Sequence, residues 1–116
     1  MNTSIISTQQ VSDTVLDALA KELPAIIAGV LDVPGGNLAR LKPEQISLAF
    51  SQASPRDTGA DIRILAFAKS NVPRKSTEID RANVIREKVS ALVATCGESH
   101  SVAVRIYLVE LGAAEG

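Results

Sequence analysis

The chain has 116 residues and a formal net charge of −1 at pH 7, which is enough length for one hydrophobic core and too little for two. We therefore expect residues 1–116 to form a single domain. With 12 basic and 13 acidic side chains, two Phe and one Tyr, it offers neither the positive field nor the stacking surface that nucleic-acid-binding proteins use, and the same charge balance argues against binding to an anionic membrane.

The first half of the chain predicts a strand, a helix and a second strand. Ser4–Thr8 can form a short strand, and Ser12 is a competent N-cap for a helix whose apolar residues recur at helical spacing. We expect Pro24 to kink or restart this helix, because proline removes a backbone donor at a cost of about 3 kcal/mol. After a turn at Val33–Asn37, the alternation along Glu44–Ser51 predicts the second strand.

The second half of the chain predicts the same order of elements. Asp61–Lys69 alternates an apolar set with a mixed set, as a strand does. A helix is expected to begin at Ser76 or Thr77 and to end before Gly97, and alternation along Ser101–Glu110 predicts the last strand. The apolar residues expected to face the core from this second helix are Ile79, Ala82, Ile85, Val89, Leu92, Val93 and Cys96.

These elements predict an α+β fold with the order βαββαβ. Two βαβ units with right-handed crossovers give a four-stranded sheet with both helices on one face. The helices are expected to cover Ile46, Leu48 and Phe50 of the second strand. The opposite face would then carry a largely apolar set, which predicts that another copy of the chain covers it. Its members are Ser47, Ala49, Arg63, Leu65, Phe67, Ala103, Arg105, Tyr107 and Val109.

The location of the protein is expected to be cytoplasmic. No segment approaches the roughly 18 consecutive apolar residues of a membrane span. The N-terminal Met1–Ser4 also lacks the basic-then-apolar order of a signal peptide.

Metal and nucleophile chemistry have little support in the sequence. One His and one Cys give no recognised ligand spacing, so we expect neither a metal nor a cofactor. Cys96 lies on the apolar helix stripe and is expected to pack as a small reduced hydrophobe. His100 is interpreted as an ordinary residue before a strand, and no G-x-S-x-G motif is present.

Basic side chains are the chemically relevant residues that the predicted fold brings close together. Arg63 and Arg105 share the non-helix face of the predicted sheet, and Lys69, Arg74 and Lys75 gather near the N-terminus of the second helix, which favours anions. An arginine in the middle of a strand needs a carboxylate partner or a ligand. Either a small anionic ligand or a set of solvated charges and structural ion pairs would account for these residues.

The chain resembles the tautomerase superfamily in its βαββαβ order, in a strand that starts near residue 2 and in a last strand followed by a short tail. Ala20 and Lys21 with Pro24 and Gly29 are similar to the first helix of the 5-carboxymethyl-2-hydroxymuconate isomerases. The segment Lys42–Ile46 resembles the branch of macrophage migration inhibitory factor. The likeness spans most of the chain.

The resemblance implies a homotrimer whose three sheets enclose a central barrel, with a pocket between neighbouring subunits for a small enol or 2-oxo carboxylate. It also implies an N-terminal proline that acts as general base near neutral pH. Asn2 stands at that position in this sequence, and an amide is not a base. The implied tautomerase or isomerase activity therefore lacks its usual proton acceptor.

The resemblance also suggests which side chains hold the ligand. Arg105 falls where the inhibitory-factor branch has a polar pocket residue, Lys42 approximates its pocket lysine, and Arg74 matches a basic residue of the muconate isomerases. With the neighbouring sheet residues, the expected substrate-binding set is Arg105, Arg74, Lys42, Arg63, Phe67 and Tyr107. The alternative is a non-catalytic ferredoxin-like module that binds a small molecule or a partner protein.

Overall fold

The computed structural model describes residues 1–32, 41–69 and 72–109, with the backbone alone for Lys69 and residues 72–76. Its four strands are β1 (Asn2–Ser7), β2 (Ser47–Gln52), β3 (Ile62–Lys69) and β4 (Val102–Val109). Its two helices are α1 (Asp13–Leu31) and α2 (Val72–Thr95), and one turn of 3-10 helix (Pro43–Gln45) precedes β2. The predicted α+β class and βαββαβ order are confirmed.

The four strands form one mixed sheet in the order β2-β1-β3-β4. β1 pairs parallel with β2, β3 pairs parallel with β4, and β1 and β3 are antiparallel. Each helix therefore connects two adjacent parallel strands. A ferredoxin-like module instead has a split βαβ unit, with another strand between the two that a helix joins. The strand order thus contradicts the ferredoxin-like alternative.

The core lies between the two helices and one face of the sheet. Ile5, Ile62 and Ile64 are buried on that face, and α1 and α2 pack against each other above it. Burial of such side chains contributes roughly 1.5–3 kcal/mol each, so this layer accounts for most of the hydrophobic stabilisation. The helices contribute the buried residues Val15, Leu19, Leu23, Ile27, Leu31, Ile85, Val89 and Val93.

The helix α1 has the predicted N-cap and excludes one of the two effects expected of its proline. Ser12 is its N-cap, and the Ser12 Oγ accepts a hydrogen bond from the backbone N–H of Val15 at 3.3 Å. The helix then runs through Pro24 without interruption, so the predicted restart does not occur, and the alternative of a kink at Pro24 stays a prediction. Leu23 and Ile27 on either side of the proline are fully buried, and their packing offsets the missing backbone hydrogen bond.

The helix α2 begins at Val72, so the predicted start at Ser76 or Thr77 is wrong. Pro73 is compatible with the first helical turn, where its missing N–H would have no helical partner. Ile79 was expected to face the core, yet it is 73% exposed. It lies six residues before the buried Ile85, and at about 100° per residue that places it about 120° away around the helix.

The strand β2 forms one edge of the sheet and is less covered than the sequence predicts. Ile46 is buried but lies before the strand, and Leu48 is half-buried. Phe50 is 42% exposed, because α1 contacts β2 only weakly and β2 has a neighbouring strand on one side alone. The predicted turn at Val33–Asn37 lies outside the described residues. Neither described helix is long and apolar enough to cross a membrane.

Candidate active site

The sheet face turned away from the helices carries the candidate site. Strand pairing places its residues in rows that run across the sheet, and successive rows are about 7 Å apart along the strands. The first row is Ser47, Asn2, Phe67 and Tyr107, the second is Ala49, Ser4, Leu65 and Arg105, and the third is Ser51, Ile6, Arg63 and Ala103. The predicted residues Asn2, Phe67, Tyr107 and Arg105 thus occupy two adjacent rows.

Phe67 and Tyr107 form a stacked aromatic pair beside Asn2. Their ring centroids are 5.2 Å apart and the rings are inclined by 15°, within the range of favourable aromatic stacking. Phe67 is half-buried, while Tyr107 remains 41% exposed. The pair therefore presents a flat apolar surface that ends in a phenolic hydroxyl, which can donate or accept a hydrogen bond.

Arg105 lies one row from this aromatic pair, directly opposite Leu65. Its side chain is exposed, and within the described residues it pairs with no carboxylate. A guanidinium group next to an apolar surface is well placed to bind a carboxylate through two parallel hydrogen bonds. Arg105 thus places a cation about one row from the flat apolar surface of Phe67 and Tyr107.

A cleft of about 380 Å³ opens beside these residues at the free edge of β4. One side is formed by Val104–Tyr107 of the strand, and the other by residues of α2. The sequence analysis did not assign Glu78 or Asn83 to the site. Their positions follow only from the packing of α2 along β4, since neither lies on the apolar stripe of the helix. The α2 residues lining the cleft are Glu78, Ile79, Ala82 and Asn83.

Lys42 and Arg74 belong to segments at the end of the sheet that contains Asn2. Lys42 is exposed, and its backbone N–H donates to Gln45 Oε1 at 2.9 Å, which orders the 3-10 turn leading into β2. Arg74 lies in the first turn of α2, which begins three residues after β3 ends. The side chain of Arg74 lies outside the described part of the structure, so its direction stays a prediction.

Arg63 lies at the other end of the site. Its Cδ, Nε and Cζ atoms lie 3.5–3.6 Å from the position that a Cβ on Gly59 would take. Gly59 has a φ of 131°, a conformation that suits glycine alone, so the guanidinium packs against an open backbone turn. Phe67 is four residues further along β3, or about 13 Å. The structure does not bring the Arg63 side chain to the aromatic row.

Comparison with known proteins shows a likeness of structure. No protein-family model matches the sequence, and no curated protein is significantly similar to it. An asymmetric trimer of a wild-type fused 4-OT is 12% identical, covers 94% of this chain and 86% of its own, and has a TM-score of 0.63. Malonate semialdehyde decarboxylase is 10% identical, with 94% and 84% covered and a TM-score of 0.62.

A third solved structure, Pt0534 inactivated by 2-oxo-3-pentynoate, is 11% identical, with 94% and 86% covered and a TM-score of 0.64. These neighbours are proteins of the tautomerase superfamily, so the fold expected from the resemblance is confirmed. The chain has the tautomerase fold, with two βαβ units side by side in one sheet. Identities this low establish the fold alone.

Proposed function

We propose that residues 1–116 form one domain of a homotrimeric tautomerase-like protein, which binds a small enol or 2-oxo carboxylate between subunits and catalyses proton transfer weakly. The observation that carries this proposal is the placement of Asn2, Phe67 and Tyr107 in one row, with Arg105 in the next. In this arrangement Arg105 holds the carboxylate, and the aromatic pair packs against the rest of the ligand.

The proposed trimer follows from the composition of the open sheet face. Ile6, Leu65 and Ala103 lie there half-buried in a single chain, without a layer above them. Covering such side chains is favourable at about 25 cal/mol per Å² of apolar surface removed from water. The fused 4-OT of the same fold is a trimer, and a trimer of this chain would supply a layer of this kind.

A subunit-interface pocket fits the position of the cation. Arg105 and Tyr107 lie on β4, the edge strand, so one side of their surroundings is open to a neighbouring chain. A second subunit there would exclude water from the guanidinium, and a carboxylate bound to it would then interact more strongly. Binding of a 2-oxo acid also agrees with the inactivation of the structurally similar Pt0534 by 2-oxo-3-pentynoate.

A second candidate function is binding without catalysis on the same scaffold, and Asn2 favours it. The carboxamide of Asn2 has no basic nitrogen, so the first row of the site lacks a proton acceptor at the position where the family has its base. The two candidates share the carboxylate site and differ only in whether a proton is transferred once the ligand is bound.

Thermal denaturation in the presence of phenylpyruvate, used as a 2-oxo acid probe, tests the shared site. A ligand at a hundred times its Kd stabilises the folded state by about 2.7 kcal/mol, so the melting temperature of the wild-type chain should rise. Arg105→Ala should abolish this rise, while Arg86→Ala, at an exposed position on α2, should retain it. Equal stabilisation of both variants would remove Arg105 from the site, and no stabilisation of the wild-type chain would refute the proposal.

A further inference from the structure

His100, the one histidine in the sequence, lies between two carboxylates at the end of the sheet far from Asn2. Its Nδ1 is 3.2 Å from Asp61 Oδ2, and its Nε2 is 2.8 Å from Glu98 Oε1. The imidazole is only 8% exposed. His100 does precede the strand β4, as expected, and both of its ring nitrogens also have carboxylate partners, which the sequence analysis did not anticipate.

Glu98 extends this contact to the first helix. Its Oε2 accepts a hydrogen bond from the hydroxyl of Ser12, and its Oε1 lies 3.4 Å from the backbone N–H of the same residue. Ser12 is the N-cap of α1 and accepts from Val15 as well. The series Asp61, His100, Glu98, Ser12 thus connects the start of β3, the segment before β4 and the N-terminus of α1.

The two partners of His100 select its cationic form. An ionised carboxylate accepts hydrogen bonds and donates none, whereas a neutral imidazole carries only one N–H. Only the imidazolium can donate to Asp61 and Glu98 at once. The hydrogen bond to Glu98 accordingly raises the pKa of His100 above its usual value, against an opposing effect of burial and with a further contribution from Asp61.

No other charged group disturbs this arrangement within the described residues. The segment after α2 contributes Glu98, the residue before β3 contributes Asp61, and α1 contributes the uncharged hydroxyl of Ser12. Asp13, the first residue of α1, is exposed and makes no hydrogen bond or ion pair with His100. The charge state of the cluster therefore depends on His100 and its two carboxylates.

We propose that His100 is a protonation-dependent clamp, which in its cationic form joins β3, the segment before β4 and the N-terminus of α1. When the ring loses one proton, the remaining hydrogen stays on Nε2, where the contact with Glu98 is the shorter one. The bare Nδ1 then faces the carboxylate of Asp61 with two lone pairs opposed. Asp61 is 28% exposed, so its carboxylate turns to water and the clamp opens on the β3 side.

The sign of the effect on stability follows from the direction of the pKa shift. A histidine whose pKa is raised by folding contributes stability that is complete below its unfolded pKa, about 6.5, and that is lost as pH rises through its folded pKa. The melting temperature should therefore fall across the titration of His100. The clamp lies apart from Arg105, so its action does not depend on the proposed ligand site.

The test combines an NMR titration of the imidazole nitrogens with thermal denaturation between about pH 5 and about pH 9. In the wild-type chain both nitrogens should remain protonated above the usual pKa of histidine, and the melting temperature should drop as they titrate. Asp61→Asn supplies an amide N–H that can donate to the bare Nδ1, so the variant should titrate at lower pH and lose part of this drop, while the contribution of Glu98 remains. Asp17→Asn, at an exposed position on α1, should titrate as the wild-type chain does.

Two results would overturn the proposal. An imidazole that titrates at the ordinary value in the wild-type chain would show that the carboxylates do not hold the cation, and this measurement needs no variant. An unchanged pH profile in folded Asp61→Asn would show that Asp61 is not released. Stabilisation by phenylpyruvate should persist in Asp61→Asn, so failure of the clamp and failure of the ligand site are distinguishable.

Discussion

Arg81 of α2 donates from its guanidinium to the backbone carbonyl of Val30, in the last turn of α1. A second hydrogen bond from the same nitrogen reaches the carbonyl of Asp32 at 3.2 Å. The last carbonyls of a helix lack partners within the helix, and a cation near them is favoured by the helix dipole. One half-buried side chain therefore completes the end of one helix from the surface of the other.

Replacement of Arg81 should consequently destabilise the protein. Hydrogen bonds to charged groups contribute about 1.5–3 kcal/mol, so we expect Arg81→Met to lower the free energy of unfolding by an amount in that range. Urea denaturation would measure it, with Arg86→Met as a control on the exposed surface of α2. Similar losses in both variants would show that the contact with α1 contributes little.

The proposed trimer predicts that a charge on the open sheet face disrupts assembly. Leu65 lies in the middle of that face, between Ser4 and Arg105. An aspartate there would be buried without a partner in the trimer, so Leu65→Asp should sediment as a smaller species at micromolar concentration. We expect the same of Val109→Asp.

The control for this experiment is Val84→Asp. Val84 is 39% exposed on α2, on the helix layer and not on the open face. This variant should assemble as the wild-type chain does. A Leu65→Asp protein that remains trimeric would exclude this face from the interface.

Loss of the Ser12 hydroxyl should destabilise the folded protein, because it removes the contacts with both Val15 and Glu98. Ser12→Ala removes the N-cap of α1, which typically costs about 1 kcal/mol of stability. In the wild-type chain, the hydrogen bond from Ser12 to Glu98 is the main cause of the lowered pKa of Glu98, and the hydrogen bond from His100 is the next. A carboxylate with a lowered pKa contributes stability above its unfolded pKa that is lost as pH falls through its folded pKa.

Acid denaturation therefore checks the Ser12 prediction. The midpoint of the acid transition should move to higher pH in Ser12→Ala, because Glu98 then accepts a proton more readily. Ser12→Thr keeps the hydroxyl and should restore the wild-type midpoint. Identical acid transitions in the wild-type chain and Ser12→Ala would contradict the role assigned to the hydrogen bond.

The local pattern of apolar and polar residues in the sequence is sufficient to predict most of the fold. The alternation along Asp61–Lys69 distinguishes two faces, and the structure buries Ile62 and Ile64 while leaving Arg63 and Leu65 on the open side. Ser12 was identified as a cap from its position before an apolar repeat. The start of α2 was missed, since Pro73 and its polar neighbours are typical of a loop as well as of a first helical turn.

The site was predicted less completely, because side-chain direction depends on distant residues. Strand parity places Arg63 and Arg105 on one face, but the Arg63 side chain lies beside the turn at Gly59 and not beside the aromatic row. The contact between His100 and Asp61 has no local signal in the sequence, because the two residues lie 39 positions apart. Such contacts are set by the sheet order and not by spacing along the chain.

The missing base at position 2 provides the most direct test of catalysis. In the 116-residue chain, Asn2→Pro should allow removal of Met1 and expose a secondary amine in the row of Phe67 and Tyr107. A positioned general base is typically worth about 10²–10⁴-fold, so the ketonisation of enol-phenylpyruvate, followed by its ultraviolet absorbance, should accelerate clearly. Asn2→Ala is the matched control, since it also permits removal of Met1 but leaves a primary amine.

The outcomes of this experiment separate the two candidate functions. Acceleration in Asn2→Pro that exceeds Asn2→Ala and disappears with Arg105→Ala would show a complete tautomerase pocket that lacks only its base. An unchanged ketonisation rate in Asn2→Pro, with Met1 shown to be absent by mass spectrometry and the trimer intact, would favour binding without catalysis. A wild-type rate that is already high and unaffected by acylation of the terminal amine would point to another base, for which Tyr107 is the nearest ionisable group in the row. Catalytic geometry tolerates little error. A gain in rate well below the expected range would therefore show that the pocket residues are misaligned, and not that the base is the wrong residue.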